Sequence, residues 1–234
     1  MEFELSDTRL RDYRPFGEPR RGGRPNASDR DPAVVAAGLA DLEPGTPVGF
    51  ASGLRRTGVW LTGQLDNVVT VAVIVELLAA GFDGTALFTA GEEAGRSWQP
   101  IVEWMPPRSD ELVVLDTSPF DTTDEVERGV VVLRHRDAGE TFSRGRTEQL
   151  ADAARSTGAE IVWKDAVLAE RGRPLGRTEL GRVVATTGGR VTGTTLQVPT
   201  TDYHINREAT TEAAVAATMS TLLAYTGRHP ATAT

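Results

Sequence analysis

The 234-residue chain contains no cysteine. That excludes disulfides and any thiolate metal site, so a metal here must be held by carboxylates and histidines. Histidine is itself scarce: His135, His204 and His229 are the three in the chain. Lys164 is the only lysine, and arginine supplies the other positive side chains. A formal net charge of -8 argues against a partner with a phosphate backbone, so no nucleic acid is expected. No stretch reaches the ~18 uninterrupted apolar residues of a membrane span. The start, Met1-Glu2-Phe3-Glu4-Leu5, lacks a basic region followed by an apolar one. The expectation is a cytoplasmic protein with no membrane partner.

What is present centres on Gln64-Leu65-Asp66-Asn67 and the apolar run that follows, residues 68–80. Only Thr70 and Glu76 interrupt that run, which predicts a helix buried on nearly all sides, with Asp66 at its mouth. Gly81-Phe82-Asp83-Gly84 supplies the stop. Short apolar strands are expected at residues 48–51, 59–61, 85–90, 111–115, 130–133, 160–163 and 194–198. Helices are expected at 98–104, 146–157, 179–186 and 208–225. This alternation predicts an α/β fold: a mostly parallel or mixed central sheet with helices on both faces, plus a shortened small β element near the N-terminus. Residues 1–32, rich in Arg, Gly and Pro, read as a polar arm, and residues 228–234 as a disordered tail. Residues 33–62 form the small β element and 63–227 the main α/β domain.

Acids fall where such a sheet gathers ligands. Glu92, Glu93 and Asp116 each follow an apolar strand, His204 follows another, and Asp66 precedes a helix. Four carboxylates and a histidine brought together could not all stay charged without something positive among them. A divalent cation is the simplest answer. Mixed His and carboxylate ligands suit zinc, manganese or cobalt better than calcium. Of two adjacent glutamates, one can bind metal while its neighbour accepts a proton from water. Each residue also has a plainer reading. Asp66 could cap the helix. Glu92 and Glu93 could sit in a helix's first turn, and Asp116 could open a turn with Thr117-Ser118-Pro119. His204 could be a surface residue. Trp98, Trp104 and Trp163 read as packing.

These motifs, in this order, resemble the tetrahedral and glutamyl aminopeptidase family of co-catalytic di-zinc metallopeptidases. The matching pieces are Gly63-Gln64-Leu65-Asp66-Asn67, Leu87-Phe88-Thr89-Ala90-Gly91-Glu92-Glu93-Ala94-Gly95, Leu115-Asp116-Thr117-Ser118-Pro119 and Val198-Pro199-Thr200-Thr201-Asp202-Tyr203-His204, with Glu208 four residues on. The resemblance implies that Asp66 bridges two metals and that Glu92 is the general base. Glu93 and His204 complete one metal site, and Asp116 serves the other. It also makes residues 33–62 a remnant of the family's small β domain, and implies homo-oligomers acting on short peptides or small amides. The family carries an early His-x-Asp motif whose histidine completes the Asp116 site, and this chain has no histidine before His135. His135-Arg136-Asp137 is a formal His-x-Asp out of order, which makes His135 a possible replacement ligand. The expected activity is that of a metallo-aminopeptidase using one or two ions. The alternatives are a non-catalytic family member serving binding, regulation or assembly, and a single-metal hydrolase of a non-peptide amide.

Overall fold

The computed structural model describes residues 4–5, 48–49, 53–105, 111–204 and 207–227. The expected arm and tail lie outside the described residues, apart from the two-residue strand β1 (Glu4–Leu5). That strand pairs antiparallel with β2 (Val48–Gly49). Strands β3 (Arg55–Thr57) and β4 (Trp60–Gly63) form a hairpin, and β9 (Glu208–Thr211) joins the far side of β4. This is the small antiparallel sheet. The main sheet has the order β5-β8-β6-β7, built from Glu111–Pro119, Val131–Leu133, Ile161–Trp163 and Thr192–Thr200 for β5, β6, β7 and β8. β5 runs parallel to β8 over nine residue pairs and β6 parallel to β7, while β6 meets β8 antiparallel. The sheet is therefore mixed, and the fold is α/β.

Alternation along the strands sorts the helices onto two faces, since successive side chains point to opposite sides. Leu115, Val131, Leu133 and Leu196 face a core built with α1 (Val68–Ala79), α4 (Arg144–Ser156) and α7 (Glu212–Tyr225). Val114, next to Leu115, faces the other way, against Leu180 and Val184 of α6 (Glu179–Thr187). α2 (Trp98–Trp104) packs on α6 through Ile101 and Val183. Two further short helices, α3 (Asp124–Glu127) and α5 (Lys164–Glu170), have no counterpart in the sequence reading. Capping explains several starts. Thr178 accepts from the Gly181 N–H to open α6, and Thr211 accepts from the Ala214 N–H to open α7.

Three expectations are corrected. First, α1 is not buried all round. Val69, Thr70, Val73 and Leu77 are buried, but Val68, Val71, Val75 and Leu78 are 38–60% exposed. The main sheet ends at β5 among the described residues, so nothing described covers that flank. Second, residues 85–90 are not a strand. An extended segment needs a neighbour to take its backbone hydrogen bonds, and no described strand pairs with it. Third, residues 208–211 are β9 rather than the first turn of the last helix, which begins at Glu212.

Candidate metal centre

The plainer readings of the four acids fail one by one, whereas His204 is a surface residue, its side chain 52% exposed. Asp66 does not cap α1. The residue before the helix is Asn67, and its side chain makes no capping bond. Instead the Asn67 amide donates to the Leu115 carbonyl at 3.0 Å, tying the start of α1 to β5, and its oxygen accepts from the Thr70 hydroxyl. The Asp66–Asn67 peptide is cis. Glu92 and Glu93 lie in a turn, not in the first turn of a helix, and α2 starts only at Trp98. Asp116 sits inside β5, where its Oδ1 accepts the Thr117 N–H at 2.8 Å.

Three of the expected ligands converge. Asp66, Glu93 and His204 each offer a donor atom within 4.8 Å of the others. His204 Nε2 stands 3.4 Å from Asp66 Oδ2 and 3.3 Å from Glu93 Oε1. Asp66 Oδ2 is buried without a hydrogen-bond partner. A buried carboxylate oxygen left bare costs about 1–3 kcal/mol or more, so the donor set fits a cation between these three groups.

Glu208 holds the arrangement together. It is fully buried, and its Oε2 accepts the N–H groups of Leu65 and Asp66, both at 2.7 Å. Its Oε1 accepts the N–H of His204 at 2.8 Å. One side chain thus fixes the entry to α1 and the His204 turn. That turn has left-handed backbone at Asp202 (φ 55°) and at His204 (φ 60°). A non-glycine residue pays about 1–2 kcal/mol for that conformation, and the bond to Glu208 helps to hold it. The Tyr203 ring stacks on the His204 imidazole, with centroids 3.7 Å apart.

The turn carrying Glu92 is braced from two sides. Trp98 Nε1 and Arg182 both donate to the Gly95 carbonyl, at 2.9 and 3.0 Å. Burial raises the Glu92 carboxyl above its ordinary value, and the charges of Glu93, Asp66 and Glu179 raise it further, against Arg182. Asp116 is pushed up to about 7, by burial first and then by Asp66. Burial likewise lifts Glu208, against its three backbone donors. Such shifts arise where like charges share a dry site. Arg134 is buried behind the cluster and donates twice to Gln197 Oε1, at 3.0 and 2.7 Å.

Two expected ligands stand outside the three-residue group. Asp116 interacts electrostatically with Asp66 and Glu92 but is not part of the group. His135 is engaged elsewhere: its nitrogens face Glu148 at 3.6 Å and Asp165 at 3.5 Å, and its ring stacks on Trp163. It is likewise no member of the group. Sequence reasoning assigned no role to Glu208 or Tyr203. Nothing local marks Tyr203, and Glu208 reads as a helix start until its pairing with β4 is known.

No protein-family model and no curated protein matches the chain. Solved structures do match, at the level of the fold. The TET aminopeptidase from the marine sediment archaeon Thaumarchaeota archaeon SCGC AB-539-E09 superposes with a TM-score of 0.61 at 17% identity, over 82% of this chain and 56% of that one. The Pyrococcus horikoshii TET1 peptidase, which assembles into a tetrahedron or a large octahedral shell, gives 0.58 at 18% identity over 80% and 56%. Aminopeptidase APDkam598 from the archaeon Desulfurococcus kamchatkensis gives 0.60 at 16% identity over 88% and 57%. The fold is that of the TET aminopeptidases, and the chain spans less than three fifths of the length of these neighbours.

Proposed function

We propose that the chain is a metal-dependent, aminopeptidase-like hydrolase of short peptides or small amides. The observation that carries this reading is the convergence of Asp66, Glu93 and His204 on one point, around a buried carboxylate oxygen that no protein group satisfies. These three residues would hold a divalent cation, zinc in the first instance and manganese or cobalt as alternatives. Such a cation supplies Lewis-acid polarisation of a scissile carbonyl and makes water a stronger acid.

Glu92 is the general base. It neighbours Glu93, and burial lifts its carboxyl toward the working pH, where a base transfers protons best. It takes a proton from the attacking water and returns it to the leaving amine. Glu208 holds Asp66 and His204 in place but touches no substrate. Residues 63–227 make up the catalytic unit, and residues 33–62 are a small-domain remnant. The working form is a cytoplasmic homo-oligomer, in keeping with the assemblies of the TET1 peptidase.

The test is metal content by elemental analysis on wild type and His204→Ala, followed by a panel of aminoacyl substrates with Glu92→Gln as control. Wild type should retain metal and His204→Ala should lose it. Glu92→Gln should keep the metal while losing at least ~100-fold in kcat, the usual size of general-base effects. Turnover that survives Glu92→Gln, or a wild-type protein that takes up no zinc, manganese or cobalt, would overturn the reading.

A further inference from the structure

We infer that the chain takes one divalent ion, and that the buried guanidinium of Arg134 supplies, beside Asp116, the positive charge that a second ion would bring. The inference rests on the metal-dependent reading above and deepens it, fixing the number of ions and giving Arg134 the role of a positioning residue. The resemblance assigns Asp116 to an ion of its own. Yet Asp116 Oδ1 already accepts the Thr117 N–H. Among the described residues, the one group of three converging donors is Asp66, Glu93 and His204, and neither Asp116 nor His135 joins it. The His135 nitrogens face Glu148 and Asp165 instead. The donors around Asp116 therefore do not fit a second ion.

A cation is nonetheless in place on that side, and strand register puts it there. Asp116 of β5 pairs with Gln197 of β8, and Val132 of β6 pairs with Gln197 from the other side. Paired residues turn their side chains to one face of the sheet, and Arg134, two residues beyond Val132, shares that face. Hydrogen bonds join the row. Arg134 donates through Nε and Nη2 to Gln197 Oε1. Gln197 Nε2 donates to the Thr117 carbonyl at 3.1 Å, on the residue whose N–H Asp116 accepts. Gln197 and Arg134 are both buried. Among the described residues no carboxylate forms an ion pair with Arg134, and its hydrogen-bond acceptor is the neutral Gln197 amide. A guanidinium buried in that way is costly unless negative charge lies close by. Burial pulls it below its ordinary value, and Asp116 is foremost among the charges that oppose this, ahead of Asp137 and Asp165. Gln197 thus holds Arg134 near Asp116 without a direct contact. A divalent ion brought to Asp116 would meet the guanidinium at about 10 Å, two strand spacings. At an effective dielectric of about 20, that repulsion weakens its binding on the order of 100-fold.

The experiment titrates the full chain, stripped of metal, with Zn(II) and reads bound metal by equilibrium dialysis and elemental analysis. Wild type should saturate at one equivalent. His204→Ala should lose it, and Asp116→Asn should keep it. Arg134→Met removes the charge and keeps a long side chain. It should take up a second equivalent at zinc concentrations on the order of 100-fold below any that load one onto wild type, and adding Asp116→Asn should abolish that uptake. Arg134→Lys keeps the charge and should stay at one equivalent, a difference that a packing role alone would not produce. Two equivalents in wild type, loss of the single equivalent in Asp116→Asn, or a folded Arg134→Met that stays at one would overturn the inference. The wild-type and Asp116→Asn titrations decide without any change at the buried Arg134. Two equivalents in wild type remove this inference and leave the proposed function standing. No bound metal at all removes both.

Discussion

Glu208→Gln is the most informative single substitution, because it tests whether the site is held by a carboxylate or by a neutral acid. Glu208 receives three backbone N–H donors, from Leu65, Asp66 and His204. A glutamine of the same shape offers one acceptor oxygen and one NH2 group. If its oxygen serves Leu65 and Asp66, the NH2 meets the His204 N–H, and a buried donor goes unsatisfied at about 1–3 kcal/mol. The two remaining bonds lose their charge assistance, at about 1 kcal/mol each. Removing a buried charge returns part of this, since burial is the largest influence on Glu208. The expected net loss is about 2–3 kcal/mol, or roughly 5–10 °C in Tm for a chain of this size. Released from Glu208, His204 can leave its left-handed backbone, and metal affinity should fall about 10–100-fold, as when a ligand's supporting group is removed. Urea denaturation without metal measures the first effect and metal titration the second. A glutamine variant within about 0.5 kcal/mol of wild type and with unchanged affinity would refute the argument, for then Glu208 is a neutral carboxylic acid in the fold.

Asp116, pushed up to about 7 from 3.8, keeps its proton in the folded state at pH values where the unfolded chain has lost it. Metal-free protein should therefore lose stability as pH rises from about 4 through 7, by at most ~4 kcal/mol, and Asp116→Asn should flatten that slope in denaturant melts at pH 5 and 8. Gly193→Ala should cost about 3 kcal/mol or more by the same melts, because an added Cβ would lie 1.9 Å from the Leu112 carbonyl oxygen on the neighbouring strand, and backbone cannot step aside. Asp137→Asn should cost about 2–4 kcal/mol, since this buried carboxylate accepts from the Gly139, Glu140 and Thr178 N–H groups and from the Thr178 hydroxyl, and an amide cannot accept from all four.

Elements whose signals are local were legible. α2 matches residues 98–104, and α6 matches the expected 179–186 to within one residue, with Thr178 as its cap and Gly188 in the left-handed conformation at its end. β5 and β8 were found but drawn short, because polar ends such as Asp116-Thr117-Ser118 do not read as strand until β8 pairs with them, and β1, β3 and β9 were not foreseen. Residues 85–90 show the converse. Leu87 and Phe88 carry strand propensity, but propensity without a neighbouring strand leaves an irregular segment with Phe88 half exposed. α1 went wrong for the same reason. An apolar helix predicts a covering layer, and a sequence pattern does not say whether that layer is present.

The site divides along the same line. Asp66, Glu92, Glu93, Asp116 and His204 could be grouped because acids and a histidine fall at element ends, and the family resemblance, not the pattern, set Asp66, Glu93 and His204 apart as one metal site. Nothing of the kind marks Glu208. Its role depends on the register of β9 against β4, which sets Glu208 opposite Gly63, two residues before Leu65. Shifting a strand by one residue turns its side chains to the other face, and Glu208 would then lose the Leu65 and Asp66 amides together. Tyr203 is hidden in a similar way. Its stacking on His204 goes with left-handed backbone at two non-glycine residues, Asp202 and His204, a conformation that residue type does not announce. The candidate ligands could thus be proposed from residue chemistry together with the resemblance, whereas the groups that aim them come from long-range register and backbone sign, the two quantities that a linear pattern encodes least.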